Sequence, residues 1–116
     1  MNPADMPIFN RTFDLLTWLV PVTNHFPRSC RHSFTARVLG HAFLLREHLE
    51  KANARRGQQR LVYLTRADDA LRIVRVYIRL AVTWKWLSSG QYEHVAEMLN
   101  DIGRLLGSWM KSTRTS

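Results

Sequence analysis

The sequence predicts an all-α fold, an up-down antiparallel four-helix bundle built by a single domain over residues 1–116. Three observations predict it. Apolar residues recur at helical spacing in four separate stretches, and no strand-like alternation occurs anywhere. The links between the stretches are short, which makes consecutive long helices antiparallel neighbours. With 116 residues and 46% hydrophobic content, the chain supports one core rather than two.

Helix one is expected over residues 8–26, with Phe9, Phe13, Leu16 and Val20 inward, joined by Leu15 and Leu19. Pro21 should kink it, because proline removes a backbone donor and crowds the preceding turn. A link, residues 27–32, follows. Ser33 has the character of an N-cap for helix two, whose stripe is Phe34, Val38, Ala42, Leu45, Leu49 and Ala52. Residues 53–57 end that helix. Helix three is expected over residues 59–87, on the order of 40 Å at 1.5 Å per residue. Leu64, Leu71, Val74, Ile78, Ala81 and Val82 give it one apolar face, and Ile73, Tyr77, Leu80 and Trp84 a second. Ser89 and Gly90 turn the chain into helix four, and the tail, residues 112–116, is expected to fray.

Helix four is apolar over too much of its circumference for a helix with one partner. Tyr92, Val95, Ala96, Leu99, Ile102, Leu106 and Met110 form the core stripe. Met98, Leu105 and Trp109 widen it on one side, while Gly103 and Gly107 flatten the other. A helix-interior glycine costs about 1 kcal/mol relative to alanine, so two of them call for an offsetting gain such as close backbone approach. Either the helix is fully surrounded, or it serves its own bundle and a second subunit or partner. The second reading makes Met98, Gly103, Leu105, Gly107 and Trp109 candidate interface residues, and it is the one favoured here.

The formal net charge is +8, and most of the 17 basic residues are arginine. Arginine's planar fork of donors suits phosphate and carboxylate, which points to nucleic acid or an acidic protein surface as partner. Arg72, Arg75 and Arg79 fall on one narrow strip of helix three, continued by Thr65 and Thr83. Asp68 stands one turn before Arg72 and can neutralise it, leaving Arg75 and Arg79 as the best candidates for an anion. An ordinary solvated helix face is the competing reading of the strip. Lys51, Arg55, Arg56 and Arg60 form a second basic group around the link between helices two and three. Its simpler account is complementing the helix macrodipole.

Nothing in the spacing of residues favours catalysis or a metal. His41 and His48 are two helical turns apart, and His25, Cys30 and His32 match no zinc template. Glu47, Glu50, Glu93 and Glu97 lack the Glu-x-x-His pairing of a di-iron bundle. There is no nucleophile elbow, phosphate loop or glycine-rich fingerprint, and Ser108 follows Gly107 within a helix. No cofactor is expected. Trp84 and Trp86 beside Lys85 suit base stacking or a protein anchor, though core or oligomer contacts are the commoner use. A single cysteine, Cys30, excludes an intrachain disulfide and fits a reducing, cytoplasmic setting. No export signal and no membrane span is expected.

Two segments carry a family resemblance. One runs from Phe13-Asp14-Leu15-Leu16-Thr17-Trp18-Leu19-Val20-Pro21 to Asn24-His25-Phe26-Pro27-Arg28, the other from Gln91-Tyr92-Glu93-His94 through Ile102-Gly103-Arg104-Leu105-Leu106-Gly107-Ser108-Trp109. With Arg75-Val76-Tyr77-Ile78-Arg79, they resemble the accessory variability determinant of diversity-generating retroelements, within a wider group of four-helix bundles that includes proteins encoded in ribosomal RNA intervening sequences. The resemblance implies a homopentameric, barrel-like ring with a basic surface. It also implies a non-enzymatic role: the protein binds a reverse transcriptase, which does the chemistry, and RNA or DNA, largely without regard to sequence. Arg75 and Arg79 align with basic positions of that family's third helix. An intervening-sequence type of bundle with no polymerase partner is the alternative.

Overall fold

A computed structural model describes residues 6–115, which form four α-helices: α1 (Pro7–Thr23), α2 (Ala36–Asn53), α3 (Gly57–Thr83) and α4 (Ser89–Thr115). Among the described residues there is no strand. Contacts run in a closed circuit, α1 with α2, α2 with α3, α3 with α4 and α4 with α1, and the α2–α3 pairing is the most extensive. All four pairs are antiparallel. Arg46 meets Phe9, His48 meets Tyr63, Arg75 meets Leu99, and Phe9 meets Trp109 while Trp18 meets His94. The bundle measures 45 × 25 × 21 Å, its long axis set by the two 27-residue helices.

The core is the expected set of stripes on α2, α3 and α4. Val38, Leu45 and Leu49 meet Leu64, Val74 and Ile78 and then Val95, Ile102 and Leu106, all fully buried. Burying each such side chain is worth about 1.5–3 kcal/mol, so these stripes fix which face of each helix points inward. On α1 the expected Phe9, Leu15 and Leu19 are buried and Leu16 is partly buried, but the rest of the inward face differs from the expected one. Ile8, Thr12, Leu15, Leu19 and Thr23 face the core, whereas Phe13 is 63% and Val20 38% exposed. The reason is a polar anchor. The Thr12 hydroxyl donates to the Ile8 carbonyl (3.0 Å) and accepts from Arg46 Nη1 (3.3 Å), which also donates to the Phe9 carbonyl (2.9 Å). A satisfied threonine can occupy a core position, and here it rotates α1 away from the purely apolar reading.

Helix ends follow local chemistry. Pro7 opens α1, where its missing N–H costs nothing, and the helix continues only two residues past Pro21. The link to α2 is wound into a 3-10 turn (Arg28–Cys30) and a π turn (Arg31–Thr35). Ser33 therefore lies inside the π turn, its hydroxyl donating to the Cys30 carbonyl at 3.4 Å, and is not the N-cap of α2. α3 stops at Thr83 rather than residue 87, because Lys85 adopts a left-handed conformation (φ 63°). Its N–H donates to the Val82 carbonyl and that of Trp86 to the Ala81 carbonyl, closing a Schellman turn. α4 opens on a capping box. The Gln91 N–H donates to Ser88 Oγ (3.1 Å) and the Ser88 N–H to Gln91 Oε1 (2.9 Å). At the other end α4 is helical to Thr115, with Thr113 buried and donating to the Trp109 carbonyl. Ser116 lies outside the described residues.

Candidate functional site

The arginine strip borders a groove between α3 and α4 of about 400 Å³, lined by Arg72, Arg75 and Arg79 from α3 and by Tyr92 and Asn100 from α4. A smaller recess of about 270 Å³ continues it past Asp68 and Gly103. The three arginines are held in three different ways. Arg72 Nη2 pairs with Asp68 Oδ2 at 3.0 Å, as the spacing predicts. Arg75 arches over the groove, and its Nη2 donates to the Leu99 carbonyl of α4 at 3.2 Å. That carbonyl carries no net charge, so the Arg75 cation stays unneutralised while its position is fixed. The Arg79 guanidinium has no hydrogen bond or ion pair among the described residues. Thr65 and Thr83 do not extend the strip as donors, since their hydroxyls turn back to the Leu61 and Arg79 carbonyls of their own helix.

Gly103 explains how Arg75 reaches α4. A Cβ there would stand 2.5 Å from Arg75 Nη2, so the missing side chain makes room for the guanidinium. The close approach expected at this glycine is an arginine crossing the groove. Gly107 is different: it is exposed, and a Cβ would meet nothing within 4 Å. Met98, Leu105 and Trp109 are partly buried against the bundle's own core. Trp109 packs edge-on against Phe9 at 6.1 Å and lies under the Arg60 guanidinium at 5.6 Å. α4 is thus not surrounded, and part of its extra apolar width is used within the chain. The large apolar residues left exposed among those described lie on the other helices, Phe13 among them, and at Trp84 in the α3–α4 turn.

The second basic group separates. Arg60 turns inward, its Nε donating to the Ala52 carbonyl at 3.0 Å, and Arg55 Nη1 donates to the Lys51 carbonyl at 2.8 Å. Both satisfy carbonyls at the C-terminus of α2, the macrodipole role. Arg56 is exposed at the link. Lys51 and Arg55 converge instead on the ring of Tyr63, where they are joined by Arg66 and His48, two residues that a search for basic runs does not collect. The signal for Arg66 was its i+3 spacing from Tyr63, legible only once α3 is laid beside α2.

α4's opposite flank has the reverse charge. A groove of about 680 Å³ between α1 and α4 is lined by Asp14, Glu97 and Asp101 together with Arg11, Trp18 and His94. Arg11 and Arg104 both pair with Asp101, at 4.0 and 3.2 Å. Among the described residues no group of three or more His, Cys, Asp or Glu side chains is placed to hold a metal ion, and no helix is long and apolar enough to cross a membrane.

The class the fold defines is a small, basic, antiparallel four-helix bundle with a row of arginines along its α3–α4 groove. The family model described as bAvd-like matches residues 6–113, and the chain belongs to that family. That match bears out the resemblance to accessory variability determinants, a family of accessory, non-catalytic type. No curated protein matches the chain.

Proposed function

We propose that this protein is the accessory subunit of a diversity-generating retroelement, binding the reverse transcriptase and the template RNA or its cDNA so that a mutagenised copy is made. The observation that carries the reading is the α3–α4 groove, with Arg72, Arg75 and Arg79 in one row in a member of the bAvd-like family. Arg75 is pre-positioned and Arg79 is free, which suits phosphate contacts at little ordering cost. A homopentameric ring is part of the same reading. It would repeat the groove in every subunit, and multivalency would turn modest single contacts into a strong polyanion surface.

Fluorescence anisotropy with labelled RNA and co-purification with the reverse transcriptase test it. Replacing Arg75 and Arg79 by alanine should weaken both, and each phosphate left without its arginine should lower the slope of log affinity against log salt by about 0.9, or about 0.7 on single strands. Helical content and elution volume should not move. Full binding by the double variant at about 150 mM salt, where exposed charges farther apart than about 8 Å are screened, would overturn the assignment of the groove. Light scattering at micromolar concentration tests the ring, and a species of only 13.6 kDa would exclude it.

A further inference from the structure

Three cations gather on one aromatic ring at the outer seam of α2 and α3. The Arg55 guanidinium lies 4.4 Å from the Tyr63 ring centroid, that of Arg66 5.2 Å, and Lys51 Nζ 5.9 Å. The ring attracts each of them through its quadrupole but neutralises none. No carboxylate pairs with any of the three among the described residues, where the ion pairs are those of Arg11, Arg46, Arg72 and Arg104. Three like charges around one ring repel one another, and an anion placed between them relieves that repulsion.

We propose that this cluster is a phosphate-binding site. Lys51, Arg55 and Arg66 hold the phosphate group, and Tyr63 is the plate that fixes the guanidiniums. Both helices and the link between them build it, α2 giving Lys51, the link Arg55, and α3 Tyr63 and Arg66, so it exists only in the folded bundle. Arg55 is anchored at one nitrogen through its bond to the Lys51 carbonyl, which leaves its remaining N–H groups for the ligand. Guanidinium forks already stacked on a ring lose less freedom on gripping a phosphate than mobile side chains do. The site is separate from the α3–α4 groove and does not rest on the reading of that groove.

His48 reports on the site. Its ring sits 6.1 Å from that of Tyr63, and its Nδ1 is buried without a hydrogen-bond partner. The charged and titratable groups around it are His41, Glu47 and Lys51 on α2 and Tyr63, Arg66 and Asp69 on α3. Burial first, and then Lys51 and Arg66, hold its pKa below the ordinary histidine value, while Glu47 acts the other way. A bound phosphate offsets Lys51 and Arg66, so His48 should take up a proton at higher pH in the complex than in the free protein.

The test is NMR of the isotopically labelled full chain, following the Arg55 and Arg66 Nε–H signals and the His48 Cε1–H signal. The probes are inorganic phosphate, adenosine monophosphate and a single-stranded oligouridylate, titrated between pH 6 and 8. Saturable shifts of all three signals, with the His48 titration midpoint moving up, are expected with at least one probe. Response to the oligonucleotide alone identifies a strand's backbone phosphate as the ligand, and response to the monophosphate at similar concentration identifies a free phosphate source. Tyr63→Leu keeps every charge and should weaken binding about fivefold, the scale of one or two exposed cation–π contacts. Tyr63→Phe should retain it. The proposal is overturned if folded Tyr63→Leu binds as tightly as the parent, or if hexaglutamate shifts the same signals as strongly as phosphate does, marking a carboxylate-binding protein surface. It is also overturned if the oligonucleotide moves Arg72, Arg75 and Arg79 while these signals stay fixed, an outcome that leaves the groove reading standing. Loss of the groove through Arg75→Ala and Arg79→Ala with the His48 response intact would instead remove only the groove.

Discussion

Gly107 offers the sharpest test of whether α4 meets a second subunit. In the folded chain the position is exposed, and a Cβ would touch nothing within 4 Å; Gly40 on α2 has the same surroundings. Alanine at either site should stabilise an isolated subunit by about 1 kcal/mol, since only helix propensity changes. For a two-state domain of 116 residues this corresponds to a rise of about 4 °C in Tm. The two glycines part company if Gly107 lies against a neighbouring subunit and Gly40 does not. Gly107→Leu then puts a Cβ that meets nothing within its own chain, and a larger side chain beyond it, against the interface, where overpacking costs about 1–3 kcal/mol. Thermal melts by circular dichroism across a dilution series, with light scattering at each concentration, separate the contributions. The expected result is that Gly40→Ala melts higher throughout, Gly107→Ala melts higher only when dilute, and Gly107→Leu keeps its helicity but loses assembly. If Gly107→Leu assembles like the parent and Gly107→Ala gains as much as Gly40→Ala at every concentration, Gly107 faces water in the assembly and is not an interface residue.

Three further outcomes follow from local geometry. Lys85 occupies the left-handed position of a Schellman turn, so Lys85→Gly should stabilise by about 1 kcal/mol, read as an increase in the urea midpoint with unchanged slope. Arg46 donates to the Phe9 carbonyl, lies 5.1 Å over the Phe9 ring and pairs with Glu50 at 2.9 Å; Arg46→Ala should therefore destabilise by about 1–2 kcal/mol and raise hydrogen exchange in α1 ahead of the other helices. His48 has a folded-state pKa below the ordinary 6.5, so the unfolded chain takes up the proton first as the pH falls. Its contribution to stability is absent above that value and becomes increasingly unfavourable below it, and His48→Gln should remove this part of the acid sensitivity in melts run from pH 7.5 to 5.

The sequence carried the fold because the fold is mostly a matter of period. On α2, Val38, Ala42, Leu45, Leu49 and Ala52 form the stripe that spacing predicts, since nothing polar competes for those positions. α1 broke the pattern where it did because a period count gives Thr12 no weight, although a threonine bonded to the Ile8 carbonyl and to Arg46 is as satisfied in the core as a valine. Boundaries failed for a related reason. The Ser88 and Gln91 capping box follows the Ser-x-x-Gln pattern, which a reading centred on Ser89 and Gly90 passes over, and the stop at Thr83 depends on a lysine taking the conformation usually left to glycine, which composition does not announce.

The placement of the candidate site's arginines was legible in the sequence, but their partners on other helices were not. Spacing placed Arg72, Arg75 and Arg79 on one strip and paired Asp68 with Arg72 because all four lie on one helix, where neighbours at i+3 and i+4 are fixed by geometry. What Arg75 does depends on α4: on the Leu99 carbonyl it reaches and on Gly103, whose missing side chain lets it pass. Gly103 and Gly107 look alike in the sequence, four residues apart on α4, yet the space at one is filled by a guanidinium from within the chain and the other is open. The same limit governs the second basic group. Charge counting collected Lys51, Arg55, Arg56 and Arg60 because they are close in sequence, whereas the structure lays Arg60 over the Trp109 ring and brings Arg66 and His48 to Tyr63 in its place. A run of cations in one helix link thus becomes two different things, a set of caps on the C-terminus of α2 and a cluster on an aromatic plate, and only the pairing of α2 with α3 decides which residue belongs to which.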